Sequence, residues 1–384
     1  MMNSRTVVVG FIPLLDCAPL AVAVEKGFAA AEGIDLTLVR ESSWANIRDR
    51  VVVGHFDAAH MLGPMAIAST LGIGHLKVPT IAPLSLGLGG NAITVSNSLW
   101  DAMGRYGARA AGDPRTQGNA LQLVVRTRER ENKPPLTFAM VYPFSAHNYE
   151  LRYWLAACGV DPDRDVRLIV IPPPLLVDAL REGQVDGFCV GEPWNSLAVS
   201  VGVGSIVTAT AGIWRLGAEK VLGCRLEWAQ RRPELLAALI RSLYQAAQWC
   251  ESPENHAELA ALLAQLRYVG APSAILHRGI SNRLRLQPDV EPVSIPDFYV
   301  PARHDATFPW TSHALWFYSQ MIRWGQIQAS TSDLSLVRAT YRPDLYRLAL
   351  APLGVDVPAV DSKIETDSFF DGRPFDPDSP AAYR

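Results

Sequence analysis

Long apolar runs are missing from this sequence. No stretch reaches the about 18 uninterrupted apolar residues that a spanning helix needs, so no membrane crossing by a helix is expected. Metal and redox signatures are missing as well. The five cysteines (Cys17, Cys158, Cys189, Cys224 and Cys250) are scattered without a C-x-x-C pair, and read as buried free thiols of a reducing compartment. No G-x-S-x-G elbow, H-E-x-x-H helix or G-x-x-x-x-G-K-[ST] loop occurs, so none of these chemistries is announced. Gly87-Leu88-Gly89-Gly90 lacks the spacing of a dinucleotide site and reads as a tight turn. His55 and His60 are five apart, off the i, i+4 geometry of a helical metal site. Charge of one sign is also scarce. A formal net charge of −3 argues against a broad nucleic-acid footprint.

What is present is apolar material in quantity. Hydrophobic residues make up 49% of the 384 positions and charged residues 19%, which excludes disorder for most of the chain. At roughly 150 residues per domain the length suggests two or three folding units. The opening stretch is interrupted by Pro13 and Asp16, so Thr6–Phe11 reads as a first strand rather than a secretion signal, and a cytoplasmic location is expected.

The first hundred residues alternate strand and helix signals. Asp16 is placed to cap a helix with Pro19 in its first turn, and Ser42 or Ser43 a second helix across Ala45–Val53. Strands are expected at Asp35–Arg40, Asp57–Leu62 and Val78–Leu84. A second block repeats the rhythm, with strands at Leu136–Val141, Val166–Ile171, Gly187–Val190 and Ser205–Thr210. Helices about ten residues long between strands predict βαβ units and a parallel-rich sheet in each block. Between the blocks, Asn97–Lys133 carries Arg105, Arg109, Arg115, Arg126, Arg128, Arg130 and Lys133. It reads either as a solvated helix with a loop around Gly104–Gly118 or as a contact patch for an acidic partner. Later, Pro233–Cys250 spaces Leu235, Leu236, Leu239, Ile240 and Leu243 as one buried helical stripe.

In open α/β sheets, ligands bind beyond the carboxyl ends of the strands. Trp44, Asn91 and His147 fall there, Val190-Gly191-Glu192-Pro193 is a strand-to-helix junction, and Lys220 precedes a late strand. Together they would make a donor-rich, acceptor-poor pocket suited to a small planar anion. The bland alternative is packed core for Trp44 and His147, and a plain surface charge for Lys220.

Several stretches carry a family resemblance. Gly10-Phe11-Ile12-Pro13-Leu14, Glu25-Lys26-Gly27-Phe28, Ser43-Trp44-Ala45-Asn46 and Asp186-Gly187-Phe188-Cys189-Val190-Gly191-Glu192-Pro193-Trp194-Asn195 resemble the nitrate/bicarbonate-binding proteins of ABC uptake systems. The resemblance implies an α/β, type II periplasmic-binding-protein fold, with two α/β lobes around a hinged ligand cleft. Residues 1–92 would form the first part of lobe 1 and 93–208 lobe 2. Residues 209–384 would complete lobe 1 and add a helical C-terminal extension. It also implies nitrate or nitrite as ligand, with contacts at Trp44, Asn91, His147, Val190, Gly191 and Lys220, and Glu192 as a neighbour. No catalytic residue, metal or cofactor is implied. Within that family the chain resembles the cytoplasmic nitrate/nitrite sensors of the NasS type, whose partner is an RNA-binding antiterminator of the NasT type. The alternative is the substrate-binding subunit of a nitrate or other small-oxyanion ABC transporter. The sensor reading implies no direct nucleic-acid or membrane contact, whereas the transporter reading implies export and a membrane permease partner.

Overall fold

The computed structural model of the chain describes residues 5–74 and 76–383; Met1–Ser4, His75 and Arg384 lie outside the described residues. The β-branched run Thr6–Phe11 forms β1, followed by α1 (Ala18–Glu25), α2 (Phe28–Ala31) and β2 (Asp35–Arg40). Then come α3 (Trp44–Val52), β3 (Ala58–Leu62), α4 (Gly63–Leu71), β4 (Thr80–Ser85), β5 (Leu88–Gly89) and β6 (Asn91–Ser96). After α5 (Asn97–Gly104) and α6 (Pro114–Arg130) follow β7 (Leu136–Met140), α7 (Ala146–Ala157), β8 (Val166–Val170) and α8 (Leu176–Arg181). The middle of the chain closes with β9 (Gly187–Gly191), α9 (Trp194–Ser200), β10 (Gly204–Ala209) and β11 (Lys220–Arg225).

These strands make two five-stranded sheets, ordered β2-β1-β3-β11-β4 and β10-β6-β9-β7-β8. Each is parallel at one side and antiparallel at the other. In the first, β1 pairs in parallel with β2 and β3, whereas β11 runs antiparallel to both β3 and β4. In the second, β7 pairs in parallel with β8 and β9, whereas β6 runs antiparallel to β9 and β10. The expected parallel blocks are therefore corrected to mixed sheets. The reason is topological: β6 and β11 are the first strands made after the chain crosses from one sheet to the other, and each inserts between strands of the sheet it enters.

The crossings lie at residues 86–90 and 210–219. Just beyond them, Ala92 pairs with Ala209 and Ile93 with Thr208 inside the second sheet. The glycine-rich first crossing has a steric cause. Gly87, Gly89 and Gly90 all have positive φ, and a Cβ on Gly89 would stand 2.3 Å from the Phe298 carbonyl oxygen.

Helices follow their caps. Ser43, Ser96, Asp113 and Ser145 each accept from the backbone N–H three residues on, starting α3, α5, α6 and α7. Asp16 is not a helix cap; it sits in a short 3-10 turn, and its carboxylate is turned elsewhere. After β11, α10 (Leu226–Arg231), α11 (Pro233–Glu251), α12 (His256–Leu263) and α13 (Ser273–Ile280) cover the first sheet, with Leu235, Leu236, Leu239, Ile240 and Leu243 buried as the spacing required. α14 (Thr311–Arg323), α15 (Thr331–Thr340) and α16 (Pro343–Leu350) precede an irregular tail. The tail is pinned by aromatic packing: Trp214 lies 4.4 Å from Trp316 and 5.3 Å from Phe369 between ring centroids, and Tyr153 lies 5.5 Å from Phe369.

The expected loop at Gly104–Gly118 is shorter than that. Residues 114–118 are already helical, and Gln117 and Gly118 are buried against α7. A Cβ on Gly118 would stand 2.2 Å from Cys158 Sγ, whereas one on Gly104 meets nothing within 4 Å. Gly118→Ala should therefore destabilise the chain by about 1–3 kcal/mol through overpacking, and Gly104→Ala should be neutral or slightly stabilising. Urea unfolding midpoints at constant slope check both, and equal midpoints for the two variants would refute the packing of α6 on α7.

Candidate functional site

The carboxyl ends of the parallel strands β1, β2 and β7 and the start of the returning strand β11 bring one polar cluster together. Trp44 opens α3 directly after β2 and its loop, and His147 is the second residue of α7 after β7. Asn91 begins β6, and Lys220 begins β11. The ladder pairs Lys220 with Leu62 and Leu222 with His60, so Lys220 and His60 share one face of the first sheet. All four sequence-derived side chains are buried: Trp44 and Lys220 are 1% exposed, Asn91 and His147 0%.

The pocket is not acceptor-poor. Lys220 Nζ lies 3.0 Å from Asp16 Oδ2 and donates to Glu219 Oε2. Asp16 Oδ1 lies 3.0 Å from His60 Nε2, while His60 Nδ1 accepts from the Ile12 N–H at 3.4 Å. His60 Nε2 thus stands in ion-pair contact with Asp16, off ideal hydrogen-bond alignment, and its proton belongs on that nitrogen because Nδ1 accepts. Glu219 Oε1 stands 3.1 Å from His147 Nδ1, in ion-pair contact though off ideal hydrogen-bond alignment. Asn91 Nδ2 donates to Glu219 Oε1 at 2.9 Å and to Glu150 Oε2 at 3.3 Å. Asp16, His60, Glu150 and Glu219 are functional-site residues that the pattern of strand ends did not reveal. The expected donor-rich set is corrected accordingly: Lys220, Asn91, His60 and His147 Nδ1 each meet a carboxylate, and for the ammonium this is required because a lone buried charge would be too costly.

Electrostatics follow from this packing. Burial alone would raise the Asp16 carboxyl, but Lys220 and His60 outweigh it and hold it far below the usual carboxylate range. Burial would lower Lys220, but Asp16 and Glu219 raise it, so the ammonium keeps its charge. Burial raises Glu219 despite Lys220, and raises Glu150 much further with Glu219 beside it. Burial, with the Lys220 charge in support, pushes His147 well below the ordinary imidazole value.

Two nitrogens that face no protein partner remain. Trp44 Nε1 and His147 Nε2 are buried and have no hydrogen-bond partner among the described residues. The Trp44 ring lies beneath Lys220 Nζ at 5.5 Å and meets His60 edge-on at 5.3 Å, which fixes the indole in place. Of the backbone pair, Glu192 N–H donates to the Gly90 carbonyl. Antiparallel ladder bonds alternate, so Val190 N–H faces β6 and Gly191 N–H is directed away from it. Glu192 stands apart. Its carboxylate accepts from Ser196 N–H at 3.3 Å and packs against Gly279, while its backbone oxygen accepts from Leu15 N–H at 2.7 Å. Among the described residues no group of three or more His, Cys, Asp or Glu side chains is disposed to hold a metal ion. No helix among them is long and apolar enough to cross a membrane.

Residues 2–264 match the model of the NMT1-like family. The chain belongs to that family. It is 35% identical over 395 residues to the nitrate/nitrite binding protein NrtA of Synechococcus elongatus, covering 99% of this chain and 85% of that one. It is 37% identical over 382 residues to the bicarbonate transport ATP-binding protein CmpC of Synechocystis, covering 97% of this chain and 54% of that one. The chain thus spans about half the length of the ATP-binding relatives it matches. The crystal structure of the periplasmic nitrate-binding protein NrtA from Synechocystis superposes with a TM-score of 0.91 at 31% identity, covering 99% of this chain and 97% of that one. The periplasmic-binding-protein fold is thereby shared with NrtA.

Glu192 offers a clean pH test. Burial raises its carboxyl from 4.5 to about 7, against hydrogen bonds from Ser196 that lower it. Between those values the folded chain holds a proton that the unfolded chain has lost, so this contribution is complete below about 4.5 and fades as pH rises through 7. Glu192→Gln should match wild type near pH 4.5 and exceed it by about 1–3 kcal/mol at pH 8. Chemical unfolding at the two pH values measures the difference; a gap that does not widen with pH would contradict it.

Proposed function

We propose that this chain captures one small planar oxyanion, nitrate or nitrite, between its two sheets and serves as the substrate-binding component of an ABC importer. The observation that carries the reading is the pair of buried, unpartnered nitrogens, Trp44 Nε1 and His147 Nε2, beside the buried ammonium of Lys220. An apolar ligand would leave them unsatisfied, at about 1–3 kcal/mol each. An oxyanion supplies an acceptor for the Trp44 N–H, and for His147 Nε2 whenever that nitrogen carries a proton, beside the buried ammonium. Similarity to NrtA along the full chain supports nitrate or nitrite as the ion. The same similarity favours importer delivery over the cytoplasmic sensor that holds an antiterminator of the NasT type.

Lys220 does not neutralise the ligand alone, because Asp16 and Glu219 already share its charge. Removing it would strand two carboxylates, so Trp44→Phe is the cleaner probe: it deletes the indole N–H and leaves a smaller aromatic ring in its place. It should weaken nitrate binding at least about tenfold, the value of one charge-assisted hydrogen bond. Titration calorimetry with nitrate, nitrite, bicarbonate and sulfate measures this. Unchanged affinity in Trp44→Phe, or tighter binding of sulfate than of either nitrogen oxyanion, would defeat the reading. Affinity purification then separates the roles. Recovery of permease and ATPase subunits supports delivery, whereas a nitrate-sensitive complex with an RNA-binding antiterminator would replace it with the sensor.

A further inference from the structure

His147 has one nitrogen against Glu219 and the other without a partner, and the chemistry of that arrangement constrains when an anion can bind. A neutral imidazole carries one proton. With Glu219 ionised 3.1 Å from Nδ1, the proton belongs on Nδ1, since two lone pairs would otherwise face each other. Nε2 then presents a bare lone pair toward its unpartnered side, and a lone pair repels an oxyanion. One additional proton on the pair reverses this. Whether it rests on Nδ1 with Glu219 ionised or on Glu219 Oε1 with Nδ1 accepting, Nε2 becomes an N–H donor. Charge counting agrees. Lys220 stands between the carboxylates of Asp16 and Glu219, so an arriving anion meets no uncompensated positive charge.

We propose that anion capture here takes up a proton onto the His147–Glu219 pair, making the chain a proton-coupled oxyanion binder. This rests on the anion-binding reading above. The groups electrostatically coupled to the pair are Asn91 and Lys220 by direct contact or charge, Asp16 from the turn after β1, His60 from β3, Glu150 one turn along α7, Cys189 from β9 and Tyr341 after α15. Burial raises Cys189 and Tyr341 above their already high values, and burial with the neighbouring Glu219 raises Glu150 well above the usual carboxylate range, while Lys220 and His60 hold Asp16 far below it. His60 faces Asp16 through Nε2 and the Ile12 N–H through Nδ1, so neither of its nitrogens is turned to the anion. The pair is therefore the group whose proton count must change when the ligand arrives.

The test is calorimetry of the full chain with sodium nitrate at several pH values, in two buffers of different ionisation enthalpy. Wild type should take up about one proton per nitrate, and its affinity should fall about tenfold per pH unit once the pair has lost that proton. In Glu219→Gln the side-chain amide can donate to His147 Nδ1, which fixes the proton on Nε2 without titration. That variant should bind nitrate with no proton uptake and a flat pH profile. Nitrate binding by wild type with equal heats in both buffers and a flat profile would overturn this inference alone. Persistent uptake in Glu219→Gln would also overturn it, by placing the proton elsewhere. No nitrate or nitrite binding at any pH would overturn both this and the functional reading. Should Glu219→Gln fail to fold, the wild-type heats still decide.

Discussion

The buried ammonium of Lys220, held between Asp16 and Glu219, is the interaction on which the rest of the structure depends. Its three members come from distant parts of the chain: Asp16 from the turn after β1, Glu219 and Lys220 from the second crossing and the first residue of β11. β11 lies between β3 and β4, so the first sheet is incomplete until a segment some two hundred residues from β1 has been inserted. Placing the key charge on that last-arriving strand means that the fold of the first sheet and the assembly of the site are one event. Breaking a buried pair by removing one partner costs about 3–5 kcal/mol, so the site also disciplines the topology.

A charge so thoroughly compensated has a functional consequence. Anion sites built on a free lysine attract many anions, because the attraction is long-ranged and indifferent to shape. Here the ammonium is shared by two carboxylates, and on the proposed reading discrimination falls to short-range, directional groups: the indole N–H of Trp44, the imidazole of His147 and the Gly191 N–H. Such donors reward an ion whose oxygens lie where the donors point and penalise one that leaves them unpaired. Rigid placement of Trp44 by the Ser43 cap and by contacts with Lys220 and His60 serves that selectivity.

Much of this was legible in the residues, and the failures have physical causes. Trp44, His147 and Lys220 stood out because the carboxyl edge of a parallel strand is where a ligand site belongs, and local periodicity locates such edges. Asp16 was misread because an acidic residue before Pro19 looks like a helix cap. Only the distant β11 supplies the lysine that turns it inward. His60 was judged against His55 as half of a metal pair, yet its real partners are Asp16 and the Ile12 N–H. Glu219 was hidden by adjacency: neighbouring residues on a strand normally face opposite sides, but the residue just before β11 is not yet pleated and can hydrogen-bond its neighbour's ammonium. The antiparallel pairing of β6 and β11 was missed for the same reason, since pairing between segments this far apart leaves no local signature.

The burial of the cluster fixes how an ion can reach it. Trp44, Asn91, His147 and Lys220 are almost wholly shielded among the described residues, so entry of an ion calls for the two sheets to move apart. Separation must occur at residues 86–90 and 210–219, but those crossings are not the sole links. α14 and α15 pack on α4 of the first sheet, while the same C-terminal layer binds α7 of the second. Gln326 accepts from the Tyr149 hydroxyl at 2.7 Å, and Tyr153 meets the Tyr383 hydroxyl at 2.7 Å and Asp371 at 2.9 Å. Opening therefore either breaks these contacts or moves the layer with α7 and shears it across α4. In both cases the cost falls on hydrogen bonds and aromatic contacts remote from the ligand. The ion's grip is then set by the balance between the cluster's directional donors and the packing of a tail that never touches it.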